Sequence, residues 1–97
     1  MVAVPQLLYV DGDADTAASR AETLSSEYEF EVRTASDVAT AKAALDAHDI
    51  DCVISEFRLG DDDGLDLLSH VRSAHSSLPV ILLIDDETEE IARDAFS

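Results

Sequence analysis

The chain has 97 residues, 46 % of them hydrophobic, and its 22 acids against 6 bases give a formal net charge of −16. That length suits one domain with one core, burying roughly 60 to 70 % of the unfolded surface, and the hydrophobic content outweighs the pull of the charge toward disorder. No apolar run is long enough for a membrane span, no export signal opens the sequence, and with no basic stripe to neutralise phosphates the domain is not expected to bind nucleic acid.

The expected location is therefore the cytoplasm. Lys42 is the only lysine, and self-repulsion among so many acids weakens as salt shortens the screening length. A high-salt, halophilic cytoplasm fits this composition. The single cysteine, Cys52, has no disulfide partner within the chain and sits in an apolar run, where it reads as a small buried hydrophobe.

Gln6 to Val10, between Pro5 and Asp11, reads as a first buried strand. An amphipathic helix from Asp15 to about Ser26 follows, with Ala17, Ala21 and Leu24 on one face. Phe30, Val32 and Thr34 alternate with Glu31 and Arg33 as a half-exposed second strand, and Ser36 is the expected N-cap of a helix to about His48 carrying Val38, Ala41 and Leu45. Cys52 to Ser55 is the third strand, and the acidic run Asp61 to Asp63 lies in a loop. Leu65, Leu68 and Val71 mark a third helix, Pro79 to Ile84 a fourth strand, and Glu87 to Phe96 a fourth helix with Ile91 and Ala95 inward.

This alternation of strand and helix predicts an α/β fold, a doubly wound parallel sheet covered on both faces. No repeat or linker divides it, so residues 1–97 are expected to be one domain. In such sheets ligands bind beyond the carboxyl ends of the strands, where strand order reverses. That directs attention to Asp11 to Asp13, to Ser55 and Glu56, and to Ile84 to Asp86. Asp11 and Asp13 flank Gly12 in a turn before a helix, a pair able to serve a weak Mg²⁺ site through oxygen ligands. Alternatively Asp13 or Asp15 caps the helix, favoured by its positive end. His48, His70 and His75 match no ordinary metal spacing and are expected on surfaces or in packing.

Three segments, LLYVDGD, VISEFRLGDDDG and LPVILLIDD, together resemble the receiver domains of two-component response regulators, the second against the family pattern DxxLPxxDG. The resemblance runs the whole length. It implies a flavodoxin-like receiver fold with strand order 2-1-3-4, the family's fifth strand lying beyond this chain, so that the domain is expected to be C-terminally incomplete. It further implies a sensor kinase or an output domain as partner, and the open edge of the fourth strand suggests a possible homodimer.

Residue by residue, the resemblance departs from the family at the site. Asp11 matches the first acid of the family's Mg²⁺-holding pair, Gly12 replaces the second, and Asp13 follows. Glu56 stands where the family has its phosphoacceptor aspartate, placing the carboxylate about 1.5 Å farther out, one carbon–carbon bond. Asp11, Asp13 and Glu56 are thus the candidate metal ligands. Ile84 occupies the position of the switch Thr or Ser, and the family's lysine after the fifth strand has no counterpart, since Lys42 is on the second helix. The expectation is a non-enzymatic, degenerate receiver that acts by protein interaction, Glu56 being a fixed charge. Two other readings are weak phosphorylation at Glu56 or within Asp61 to Asp63, and a haloacid-dehalogenase-like phosphatase using Asp11 and Asp13. The second of these lacks its lysine after the Ser55 strand.

Overall fold

In the computed structural model, residues 4–59 and 62–83 are described. The strands and helices alternate as β1 (Gln6–Val10), α1 (Ala14–Glu27), β2 (Glu31–Ala35), α2 (Val38–Ala47), β3 (Cys52–Glu56), α3 (Gly64–Ala74) and β4 (Val80–Leu83). The four strands form one parallel sheet in the order β2-β1-β3-β4, the order expected above. Register runs from Gln6 opposite Glu31 on one side of β1 and from Leu7 opposite Cys52 on the other. The chain leaves β1 toward β2 and later returns to add β3 on the opposite side, so the switch point lies between β1 and β3.

Alternation along the strands divides the side chains between two faces. Leu8, Val10 and Val53 join Val38, Ala41 and Leu45 of α2 and Leu67 and Val71 of α3 in the buried core. Leu7 and Tyr9 take the opposite parity and are also buried, on the face where α1 lies against β1 and β2 and contributes buried Ala17 and Ala21.

Four local expectations are corrected. The cap of α2 is Asp37, not Ser36: its Oδ1 accepts the Thr40 N–H at 2.6 Å, and its extended backbone turns the chain into the helix. The buried face of α3 is Gly64, Leu67 and Val71, while Leu65 is 50 % exposed, because the helix starts at Gly64 and that start sets its phase. The segment after β3 is not a plain loop, since Arg58–Leu59 pairs antiparallel with Asp62–Asp63 and Leu59 is buried in the core. Cys52 is only half-buried. The expected fourth helix, Glu87 to Phe96, and Ile84 lie outside the described residues.

The cap assignment has a direct test. Asp37→Ala lowers the thermal midpoint by a few degrees and Ser36→Ala leaves it in place, as followed by circular dichroism. The Thr40 N–H holds the Asp37 carboxyl below its ordinary range, so its stabilising effect is complete above the unfolded value of roughly 3.9 and is lost as pH falls through the lower folded value. The gap between wild type and Asp37→Ala therefore closes in acid.

Candidate functional site

The site is built at the carboxyl ends of β1 and β3. The Asp11 N–H bonds the Ala35 carbonyl at 3.0 Å, carrying the β1–β2 ladder one residue past the strand, and leaves Asp11 buried at 8 % exposure. One Asp11 oxygen, Oδ1, accepts the Asp13 N–H at 2.9 Å, so the turn through Gly12 is closed by the acid that opens it.

Asp13 is the N-cap of α1, its Oδ1 accepting the N–H groups of Asp15 at 3.0 Å and Thr16 at 3.3 Å. The Thr16 N–H, followed by the Thr16 side chain and the Asp15 N–H, pulls the Asp13 carboxyl below its ordinary range. Of the two roles the sequence left open, the geometry places Asp13 in the capping one.

Glu56 ends β3, half-buried. Val10 pairs with Ser55, so the next residues on each strand, Asp11 and Glu56, leave the sheet side by side. Their charges converge on one group: burial pushes the Tyr9 hydroxyl up, Arg20 opposes the shift, and Glu56 and then Asp11 add to it. Beneath them Ser55 is fully buried and donates its hydroxyl to the Glu56 carbonyl at 2.9 Å. The short ribbon after β3 returns at Gly64, whose N–H bonds the Phe57 carbonyl at 2.5 Å. Ser55 was legible in the sequence as a strand-end residue beside Glu56, whereas Tyr9 read simply as a strand residue, and register on β1 brings it to the site.

Among the described residues no group of three His, Cys, Asp or Glu side chains is placed to hold a metal ion. Asp11 and Glu56 are brought together, but Asp13 is turned to the helix N-terminus, and Asp11 Oδ1 is engaged by a backbone N–H. Mg²⁺ is usually held by one or two carboxylates with waters completing its shell, and of the three candidates Asp11 and Glu56 are the two that the sheet places on neighbouring strand ends. Elsewhere, the His70 and His75 rings meet edge-on at 6.5 Å. Burial raises the Cys52 thiol, disfavouring its thiolate.

Residues 7–97 match the family described as response regulator receiver domain. The chain belongs to that family. The receiver is 29 % identical over 89 residues to a bacterioopsin transcriptional activator of Halobacterium salinarum, a match covering 92 % of this chain but 13 % of that much longer relative. Among solved structures it is similar to a response regulator receiver protein of Pseudomonas putida, with a TM-score of 0.84 and 26 % identity, covering 99 % of this chain and 80 % of that one. It is also similar to the receiver domain of NtrX from Brucella abortus, with a TM-score of 0.79 and 33 % identity over 93 % of this chain and 76 % of that one.

The fold and the family are those of two-component phosphorelay signalling. The phosphatase alternative receives no support: Asp13 of its proposed motif caps a helix, and Lys42 lines a groove between α2 and α3 with Asp66 and Ser69, on other elements than the strand ends. No helix among the described residues is long and apolar enough to cross a membrane.

Proposed function

We propose that this receiver is a protein-interaction module of a two-component pathway that operates without the usual phosphorylation cycle, in the cytoplasm and without enzymatic turnover. The observation that carries this reading is Glu56 at the end of β3, side by side with Asp11 at the switch point. In-line transfer requires reacting atoms held near 3 Å in alignment, and a carboxylate displaced by a methylene loses orders of magnitude in rate. Asp13, committed to α1, does not restore the second acid of a metal pair, and Ile84 has no hydroxyl to bond a phosphoryl oxygen.

Glu56 then supplies a standing negative charge, smaller than that of a phosphoryl group and with fewer acceptor oxygens, to whichever sensor kinase or output domain the receiver meets. The bacterioopsin activator is a transcriptional activator, which makes a transcriptional output the first partner class to test. Incubation with acetyl phosphate and Mg²⁺, followed by intact mass, is expected to leave the wild-type mass unchanged. Glu56→Asp, which withdraws the carboxylate by one bond, is expected to gain phosphate slowly. A phosphoryl adduct on wild-type Glu56 contradicts the proposal.

A further inference from the structure

The amino end of the sheet, where Gln6 pairs with Glu31, lies opposite the strand ends that carry Asp11 and Glu56 and holds two aromatic rings at the surface. Tyr28 is the C-cap of α1, and Phe30 immediately precedes β2. Their rings stack with centroids 5.7 Å apart and planes at 23°. With one face on Phe30, Tyr28 is still 54 % exposed, so its other face is open to solvent. Backbone bonds fix the segment on both sides of the pair. The Tyr28 N–H donates to the Leu24 carbonyl at 3.1 Å, and the Phe30 N–H turns back to the Tyr28 carbonyl at 2.7 Å, closing a tight turn around Glu29. The Glu31 N–H then donates to the Pro5 carbonyl at 3.0 Å.

The charges around the rings are all of one sign. Glu27, Glu29 and Glu31 alternate with Tyr28 and Phe30 and are all exposed, and no base stands between Arg20 and Arg33 in the sequence. α1 ends here without a base in its last turn, so Glu27 sits at the negative end of the helix, where a cation is favoured and an acid is not. This arrangement costs the fold stability rather than adding to it. The face of an aromatic ring is itself negative, so the open side of Tyr28 and the carboxylates beside it attract the same kind of charge.

We propose that the open face of Tyr28 docks an arginine from a basic segment of a partner protein, the guanidinium lying flat on the ring and its N–H groups shared with Glu27 and Glu29. Shape selects arginine over lysine. A planar, weakly hydrated guanidinium stacks on a ring while still forking to carboxylates, whereas an ammonium is a strongly hydrated point charge. The fixed turn lowers the cost of ordering the surface on binding. A second copy of this chain, with a net charge of −16, is a poor occupant because it is repelled. Asp11 lies about 16 Å along β1 from Gln6, the partner of Glu31, so a segment held here leaves the Asp11–Glu56 end uncovered. The inference does not depend on the state of Glu56.

The probes are fluorescent peptides of about ten residues with arginines spaced by Gly and Ser, compared with lysine and citrulline versions by anisotropy on the 97-residue chain. The net charge of the chain attracts both cationic peptides alike, and only the ring distinguishes them. The arginine peptide is expected to bind about threefold more tightly than the lysine peptide, with the citrulline peptide weakest. Tyr28→Leu, folded by circular dichroism, keeps an apolar side chain without a ring and is expected to bind the arginine and lysine peptides equally. Glu29→Gln weakens both. Amide shifts on titrating the wild type with the arginine peptide locate the contact independently of any variant, at residues 27–31. Equal binding of the arginine and lysine peptides by the wild type overturns the proposal, as does an arginine preference that survives Tyr28→Leu, or shifts that fall elsewhere. A dimer of the chain that Tyr28→Leu dissolves in sedimentation also overturns it, by assigning the surface to a second copy.

Discussion

Raising KCl from about 0.05 M to about 2 M increases the thermal midpoint of this receiver by on the order of ten degrees. The driving term is self-repulsion. With 22 acids and 6 bases, most carboxylates have like-charged neighbours, and unfolding relieves that crowding. Over this range the screening length shrinks from beyond about 10 Å to under about 3 Å, shorter than the spacing of most surface charges. The favourable charges here are of shorter range: Asp13 and Asp37 act through direct bonds to N–H groups at helix starts, which screening weakens less than the distant repulsions. Salt therefore acts mainly on the destabilising side. Sucrose at matched water activity separates screening from solvent exclusion, because it leaves charge repulsion intact and should reproduce only a small part of the rise. A midpoint that stays flat in KCl, or that sucrose raises equally, removes charge repulsion as the cause.

The sequence displays the layers of this fold more clearly than its joints. Leu8, Val10 and Val53 against Leu7 and Tyr9 already carry the two-faced alternation, and Val38, Ala41 and Leu45 lie on one helical stripe that the structure buries. Such periodicities survive because each is repeated over several residues. Features decided by one residue's placement are less legible. Ser36 and Asp37 are equally good caps by type, and only backbone geometry selects Asp37. The inward face of α3 depends on the residue at which the helix starts, and a shift of one position exchanges Leu65 for Gly64 and Leu67. The ribbon of Arg58–Leu59 with Asp62–Asp63 has too few residues to show a period.

The candidate site divides in the same way. Asp11 and Glu56 were visible as acids ending apolar strands, and the sheet sets them side by side. Asp13 fitted both a ligand and a cap, and two backbone bonds decide for the cap. The Tyr9 hydroxyl carried no sequence signal, since a buried strand tyrosine is ordinary until its missing partner is seen.

Gly64→Ala is expected to cost about 1–3 kcal/mol, with Gly64→Val costing more, as overpacking does in a filled core. Against a total of about 5–15 kcal/mol for a domain, that is a large fraction. A Cβ on Gly64 would stand 2.9 Å from the Glu56 carbonyl oxygen, 2.9 Å from Leu82 Cδ2 and 3.3 Å from Phe57 Cα. The Leu82 tip can swing away. The carbonyl cannot, because Ser55 Oγ holds it at 2.9 Å and the next residue, Phe57, donates its N–H to Leu83 at 3.0 Å. Relief must come from moving the start of α3 outward, which strains the 2.5 Å bond from the Gly64 N–H to Phe57 and lifts Leu67 from the core. Alanine's better helix propensity, about 1 kcal/mol in a helix interior, is smaller here because residue 64 is the first of the helix, so the overlap with backbone decides the sign. Urea denaturation of Gly64→Ala measures the loss, and the double variant Gly64→Ala, Leu82→Ala locates it. If the side-chain contact dominated, the loss from Gly64→Ala would vanish in a Leu82→Ala background. The geometry instead predicts that most of it persists there, because the obstruction is the carbonyl of the residue that ends β3.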